Sequence, residues 1–274
     1  MLIDSHCHLH DREFFTEEQA TEMLARAHKN GVQKIICIGT SHADSLAARD
    51  FAAAHNGVYW TYGIHPSEAG TIGDSFSFLE TVSRTAYEPF EVSSARDDGP
   101  ERTRSREKKN IASRLVAIGE VGLDYHYAGY DRDAQIKLFE QMLQLAKDNN
   151  LPLSFHVREA FDDFFAVVKN FPEAKGVVHS FSDNKKNLKH ILNETSFYVG
   201  VNGMATYSTL PTPPLERILL ETDAPFLTPK PFRGIINEPG YIPEIAKWLS
   251  EKLALDYKII EEETTKNVRK LFRI

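Results

Sequence analysis

A (β/α)8 barrel is the fold this sequence predicts, and three observations predict it. Eight apolar runs of strand length recur along 274 residues, most of them separated by stretches with helical periodicity. Barrels of this kind routinely reach such a length as one domain, so 1–274 is expected to be a single unit. No glycine-rich phosphate fingerprint follows the first run, which disfavours an open dinucleotide-binding sheet.

Composition narrows the class without naming a chemistry. The chain is 42% hydrophobic and 26% charged, enough to bury a sizeable core. The longest apolar runs, such as Lys34 to Ile38, are too short to cross a bilayer, and the first residues already carry Asp4, His6 and His8. No membrane association and no signal peptide are therefore expected. Two cysteines, Cys7 and Cys37, make a disulfide framework implausible and point to a reducing cytoplasm. A net charge of −7 opposes broad adhesion to nucleic acid, though not a local site where metal ions supply the positive charge.

The elements follow in order. Ile3 to His8 reads as the first strand, with Asp4, His6 and His8 on one face and Ser5 and Cys7 on the other. Thr16 to Asn30 is a helix with Thr16 as N-cap and Gly31 past its end. Gln33 to Gly39 is a buried strand, Ser41 to His55 a helix, and Val58 to Ile64 a third strand that Pro66 stops, leaving His65 at its C-terminal edge. Phe76 to about Thr85 suggests a helix. From about Tyr87 to Ser113 the chain is dense in charge without an apolar period and reads as a flexible insertion. A nucleic-acid-touching arm is the other reading of that stretch. Leu115 to Glu120 is the fourth strand, Asp131 to Asn149 a long amphipathic helix, and Pro152 to His156 the fifth strand. Glu159 to Asn170 is helical, Gly176 to His179 the sixth strand, Asp183 to Asn193 helical, and Phe197 to Val201 the seventh strand. Between strands seven and eight, Pro211, Pro213 and Pro214 forbid a full helix. Arg217 to Asp223 is the eighth strand, and helices near Glu238–Leu253 and Asp256–Phe272 close the chain.

Metal-type side chains recur at the ends of these strands. His6 and His8 sit on strand one, Glu120 on four, His156 on five, His179 on six and Asp223 on eight. In this barrel class the C-terminal strand ends build the active site, so the six should converge at one mouth. Cys7 points away from His6 and His8 and is not expected to be a ligand. A nitrogen and oxygen donor set suits Zn, Mn, Fe or a site shared with Mg. Six donors exceed the need of one tetrahedral ion, so two divalent ions sharing a carboxylate are expected. Ions about 3.5–4 Å apart suit in-line displacement at a phosphate ester, with amide and ester hydrolysis also open.

The residues also carry a family likeness. Asp4-Ser5-His6-Cys7-His8, Gly63-Ile64-His65-Pro66, Gly119 to Tyr125, Phe155 to Ala160, His179-Ser180-Phe181-Ser182 and Leu220 to Pro225 resemble the motifs of TatD-type metal-dependent deoxyribonucleases, within the amidohydrolase-like superfamily. Asn237-Glu238-Pro239 and Thr265-Lys266-Asn267-Val268 match as well, so the likeness spans nearly the whole chain. It implies a metal-dependent barrel that cleaves DNA from a 3′ end, at single-stranded or frayed termini. It further implies that His6, His8 and Asp223 hold one ion, His156 and His179 the other, and that Glu120 bridges them. Asp223 would steer the attacking water or take its proton, and His65 and Arg158 would hold substrate. Ser180 and Asp183 stand where the family often has cysteine and glycine. Asp124 and Tyr125 are expected to shape the loop over Glu120, and Asp4 to orient an imidazole. An ion pair with Glu159 or Glu238 is the competing role for Arg158.

Two other readings keep the barrel. One changes the substrate to a small ester, an amide or an aminoacyl ester on tRNA. The other is a catalytically silent barrel stabilised by its metals, against which the complete donor set argues. A monomer is expected.

Overall fold

The computed structural model describes residues 1–70 and 114–274. The expected helix at 76–85 and the charged insertion at 87–113 lie outside the described residues. Eight strands pair in sequence order, every pair parallel: β1 (Leu2–Cys7), β2 (Val32–Cys37), β3 (Val58–Tyr62), β4 (Leu115–Asp124), β5 (Leu153–Arg158), β6 (Gly176–Val178), β7 (Tyr198–Val201) and β8 (Ile218–Leu220). A parallel bridge between Cys7 and Ala224 brings the first strand to the last and closes the (β/α)8 barrel.

The helices are α1 (Glu17–Lys29), α2 (His42–Ala54), α3 (Arg132–Asp148), α4 (Phe161–Val168), α5 (Lys185–Glu194), α6 (Ile242–Leu253) and α7 (Tyr257–Phe272). Their starts are written locally. Thr16 caps α1 by accepting from Gln19 N while the Gln19 side chain accepts from Thr16 N, and Ser41 and Asp131 cap α2 and α3. Between β7 and β8 only single 3₁₀ turns form, at Gly203–Thr206 and Leu215–Arg217, as the prolines require. No helix among the described residues is long and apolar enough to cross a membrane.

The barrel wall is packed by β-branched and aromatic side chains. Phe139 of α3, Phe155 of β5, Phe164 of α4 and Phe197 before β7 form one buried cluster, with ring centroids 4.7–6.2 Å apart. This fixes β5 against its outer helices, and β5 carries His156 and Arg158.

Two glycines let strand four sit where the mouth needs it. A Cβ at Gly63 would come within 2.1 Å of the Gly119 carbonyl carbon, so β3 can approach β4 there only without a side chain. Gly122 has φ +147°, and a Cβ on it would lie 2.0 Å from His156 O. The β4–β5 register shifts between Ile118 and Val121, and such a bulge re-aims the side chain it contains, which here is Glu120.

Several strand ends differ from the sequence reading. Strand four runs on to Asp124 rather than stopping at Glu120, because Gly122 to Asp124 pair with His156 to Arg158 of β5. Strand eight stops at Leu220: the chain turns at Asp223, whose φ is +59°, and Phe226 N bonds Asp223 O at 2.8 Å.

Candidate metal centre

All six strand-end residues meet at the C-terminal mouth of the barrel. His6 and His8 leave β1 on the same face, with their Nε2 atoms 3.3 Å apart. Asp223 Oδ1 lies 3.5 Å from His6 Nε2 and 3.6 Å from His8 Nε2. Glu120 stands between two groups. Its Oε2 faces His6 Nε2 at 3.6 Å and His8 Nε2 at 3.8 Å, whereas its Oε1 is 2.7 Å from both His156 Nδ1 and His179 Nε2. One carboxylate thus offers one oxygen to each histidine pair. The donor atoms of His6, His8 and Glu120, and likewise of Glu120, His156 and His179, all lie within 4.8 Å of one another.

The ring nitrogens that turn away from this cluster are mostly occupied. His8 Nδ1 donates to Ile38 O at 3.0 Å, His6 Nδ1 meets Ser154 Oγ at 3.4 Å, and His156 Nε2 donates to Asp124 Oδ2 at 3.0 Å. A proton held on that outer nitrogen leaves the lone pair of the inner one pointing at the cluster, which is how a metal-ligating histidine is prepared. His179 Nδ1 alone of the four has no protein partner. The nitrogen and oxygen set, its convergence and its prepared tautomers fit divalent cations.

Protonation follows from burial and neighbours. Burial pushes Glu120 up, but the His179 imidazole and the contacts with His156, His179 and His6 outweigh it, holding the carboxyl well below its usual range. Asp223 behaves alike: burial raises it, and His8 and His6 bring it below its ordinary value. Burial and the nearby His179 push His6 down to about 4, so its ring is neutral. Burial opposes charge on His156 as well, yet Asp124 and Glu120 carry it up to about 9, so the ring also holds a proton on Nδ1, facing Glu120, which a cation there would displace.

His65 lies on the rim, capping the 3₁₀ turn Pro66–Glu68. Its Nδ1 accepts from Ser67 N at 3.2 Å, which puts the proton on Nε2, 4.0 Å from Glu120 Oε1. Burial lowers it to about 4, so it acts as a neutral donor. Arg158 lines the same cavity. Neither carboxylate considered as its partner takes it: Glu159 pairs with His126 at 2.6 Å, and Glu238 pairs with Arg26 at 2.6 Å. The guanidinium lies instead over the Tyr127 ring, 5.3 Å from its centroid.

Two expectations need correction. Asp4 touches no imidazole. Its carboxylate accepts from His6 N, Thr222 N and Thr222 Oγ1, at 3.2, 2.9 and 2.5 Å, so it fixes the backbone on either side of the cluster. Asp124 belongs to β4 rather than a loop and bonds His156 directly. Alternation from Glu120 through Gly122 to Asp124 was the signal for it, hidden because Gly122 breaks the run as a sequence pattern. Asn237 was quoted only for likeness; its Nδ2 donates to Thr222 O at 2.8 Å and Phe226 O at 2.5 Å, bracing the Asp223 turn from below. Glu221 is fully buried and accepts from Ser180 N at 2.5 Å, linking the turns after β6 and β8.

A (β/α)8 barrel with this histidine and carboxylate cluster at its mouth defines a metal-dependent hydrolase. Residues 3–273 match the family model described as TatD related DNase. The chain belongs to that family. It is 29% identical, over the full length of both chains, to a protein of Bacillus subtilis named an uncharacterized metal-dependent hydrolase, YabD. It is 30% identical to a protein of Klebsiella pneumoniae named a 3′-5′ ssDNA/RNA exonuclease, TatD, across 92% of this chain and 91% of that one. Among solved structures, the TatD homologue YJJV of Escherichia coli superimposes with a TM-score of 0.81 at 25% identity, covering 100% of this chain and 98% of that one.

Proposed function

We propose that this chain is a two-metal phosphodiesterase that removes nucleotides from the 3′ end of single-stranded DNA. The observation that carries the reading is Glu120, whose two oxygens each face a separate pair of imidazole nitrogens. His6, His8 and Asp223 would hold one cation, His156 and His179 the other, with Glu120 shared. Divalent cations there would supply Lewis acidity toward water and neutralise charge on the phosphodiester. Mg, Mn and Zn all suit the donor set.

The side chains divide the remaining work. Asp223 is ionised and can take a proton from the attacking water. Asp124 holds the His156 ring in one tautomer. His65 presents a neutral N–H and Arg158 a fixed positive charge on the cavity wall, both suited to non-bridging phosphate oxygens as negative charge grows. The name of the Klebsiella relative, a 3′-5′ ssDNA/RNA exonuclease, supports the choice of a single-stranded substrate and of 3′ polarity.

The test replaces Glu120. Nucleotide release from a 5′-labelled single strand should vanish in Glu120→Ala and Glu120→Gln loaded with manganese, while circular dichroism stays that of the parent. Release at the parental rate by either variant would refute the mechanism, and turnover of small esters without nucleotide release would refute the substrate.

A further inference from the structure

We infer that Phe14 and Phe226 form a stacking platform for the unpaired base at the strand end, so that the mouth selects single strands by holding a splayed base. This rests on the nucleic-acid reading above and adds residues to it. Phe14 is 43% exposed and Phe226 47%, and both line the cavity of about 640 Å³ that contains Glu120 and Asp223. Large apolar rings left this open beside a charged site are not there to fill a core. Their centroids lie 5.3 Å apart at 81°, an edge-to-face pair, which leaves an aromatic face free for a further ring.

Both rings are held by rigid backbone. Phe14 N bonds Asp11 O and the next residue, Phe15, is anchored in the core, while Phe226 N bonds Asp223 O at 2.8 Å and Phe226 O accepts from Asn237. The strand order then sets what they face. Phe14 follows β1 and Phe226 follows β8, neighbours in the barrel, whereas Tyr127 and Arg158 belong to the β4 and β5 ends, half a turn round the ring of eight. The mouth therefore has the Phe14–Phe226 pair on one side, Arg158 over the Tyr127 ring on the other and the carboxylate cluster between them. An unpaired nucleotide has the same polarity, with an apolar base joined to an anionic phosphate. Stacking on side chains is sequence-tolerant because every base offers a π-face, and a base still paired in a duplex cannot swing onto the platform.

The test uses the full chain with Glu120→Gln, so that strands are not consumed, and a 5′-dye single-stranded oligodeoxynucleotide followed by anisotropy with manganese present. A second strand carries an abasic sugar in place of the terminal nucleoside. The expected result is that Phe226→Ala, and more so Phe14→Ala with Phe226→Ala, weakens binding of the base-bearing strand about 5- to 100-fold. The abasic strand should bind the parent and the variants alike, at the weakened level. Phe226→Leu, which keeps apolar volume without a π-face, should behave like Phe226→Ala. With Glu120 restored, kcat/KM for the base-bearing strand should fall by a similar factor, while that for the abasic strand stays at the parental value. Equal binding of the base-bearing strand by parent and double variant overturns the platform while leaving the nuclease reading intact, and so does an equal loss on both strands. Base-dependent binding, joined to no nucleotide release by the protein with Glu120 intact, would sink the nuclease reading and keep the platform.

Discussion

Replacing Asp124 by alanine tests how the second histidine pair is prepared. Asp124 Oδ2 accepts a hydrogen bond from His156 Nε2 at 3.0 Å, and that bond keeps Nδ1 turned toward Glu120 Oε1 at 2.7 Å. Without it the imidazole is free to rotate and to place its proton on Nδ1. Loss of such an outer partner weakens metal affinity about 10- to 100-fold, on the order of 1.4–2.8 kcal/mol. The effect should be confined to one of two bound equivalents. His6 and His8 face both Glu120 and Asp223, and their outer nitrogens bond Ser154 and Ile38, not Asp124. Calorimetric titration of chelator-stripped protein with manganese would read both equivalents. Asp124→Ala should weaken one and spare the other, with Asp124→Asn intermediate because its amide oxygen still accepts. Two equivalents bound with parental affinity by Asp124→Ala would refute the proposed division of ligands.

Two further outcomes follow from geometry. Asn237→Ala removes both bonds that brace the Asp223 turn and should lower Tm, at about 0.5–1.5 kcal/mol per bond; it should also slow nucleotide release through misplacement of Asp223, and an unchanged Tm and rate would contradict that role. The Arg132 pair holds Asp163 below its ordinary carboxylate value against the opposing effect of burial, and the Tyr125 hydroxyl adds to Arg132. A depressed carboxylate contributes stability above its unfolded value of about 3.9 and loses it as pH falls through the folded one. The Tm difference between parent and Asp163→Asn should therefore be full near pH 6 and shrink below about pH 4, and a difference that grows with acid would reverse the assignment.

The strands and the ionisable residues that meet at their ends were legible because two physical signals coincide. A short β-branched run must be buried in a parallel barrel, and an ionisable residue ending such a run is out of place unless it has work to do. His156 and His179 stand out for that reason. What escaped depends on distance in space rather than pattern. Asp4 looks like a partner for imidazoles because it shares a face with His6 and His8, yet Thr222, two hundred residues later, lies nearer and takes its oxygens. No sequence pattern marks His10, yet it is buried and bonds Asp44 of α2 at 2.9 Å. Phe14 gives no signal in sequence that separates it from Phe15, although one is open at the rim and the other is in the core.

The meeting of the first and last strands has a consequence for how the chain is assembled. β4 and β5 are zipped by five paired residues, whereas β1 meets the turn after β8 through one isolated bridge, Cys7 to Ala224, two backbone bonds around it, and the side-chain bonds of Asp4 and Ser5. The donors on the two sides of this seam, His6 with His8 and Asp223, come from opposite ends of the chain. An ion held by all three would act as a clasp across this join, so a chelator should loosen the first and last strands before the rest, with amide exchange rising there first.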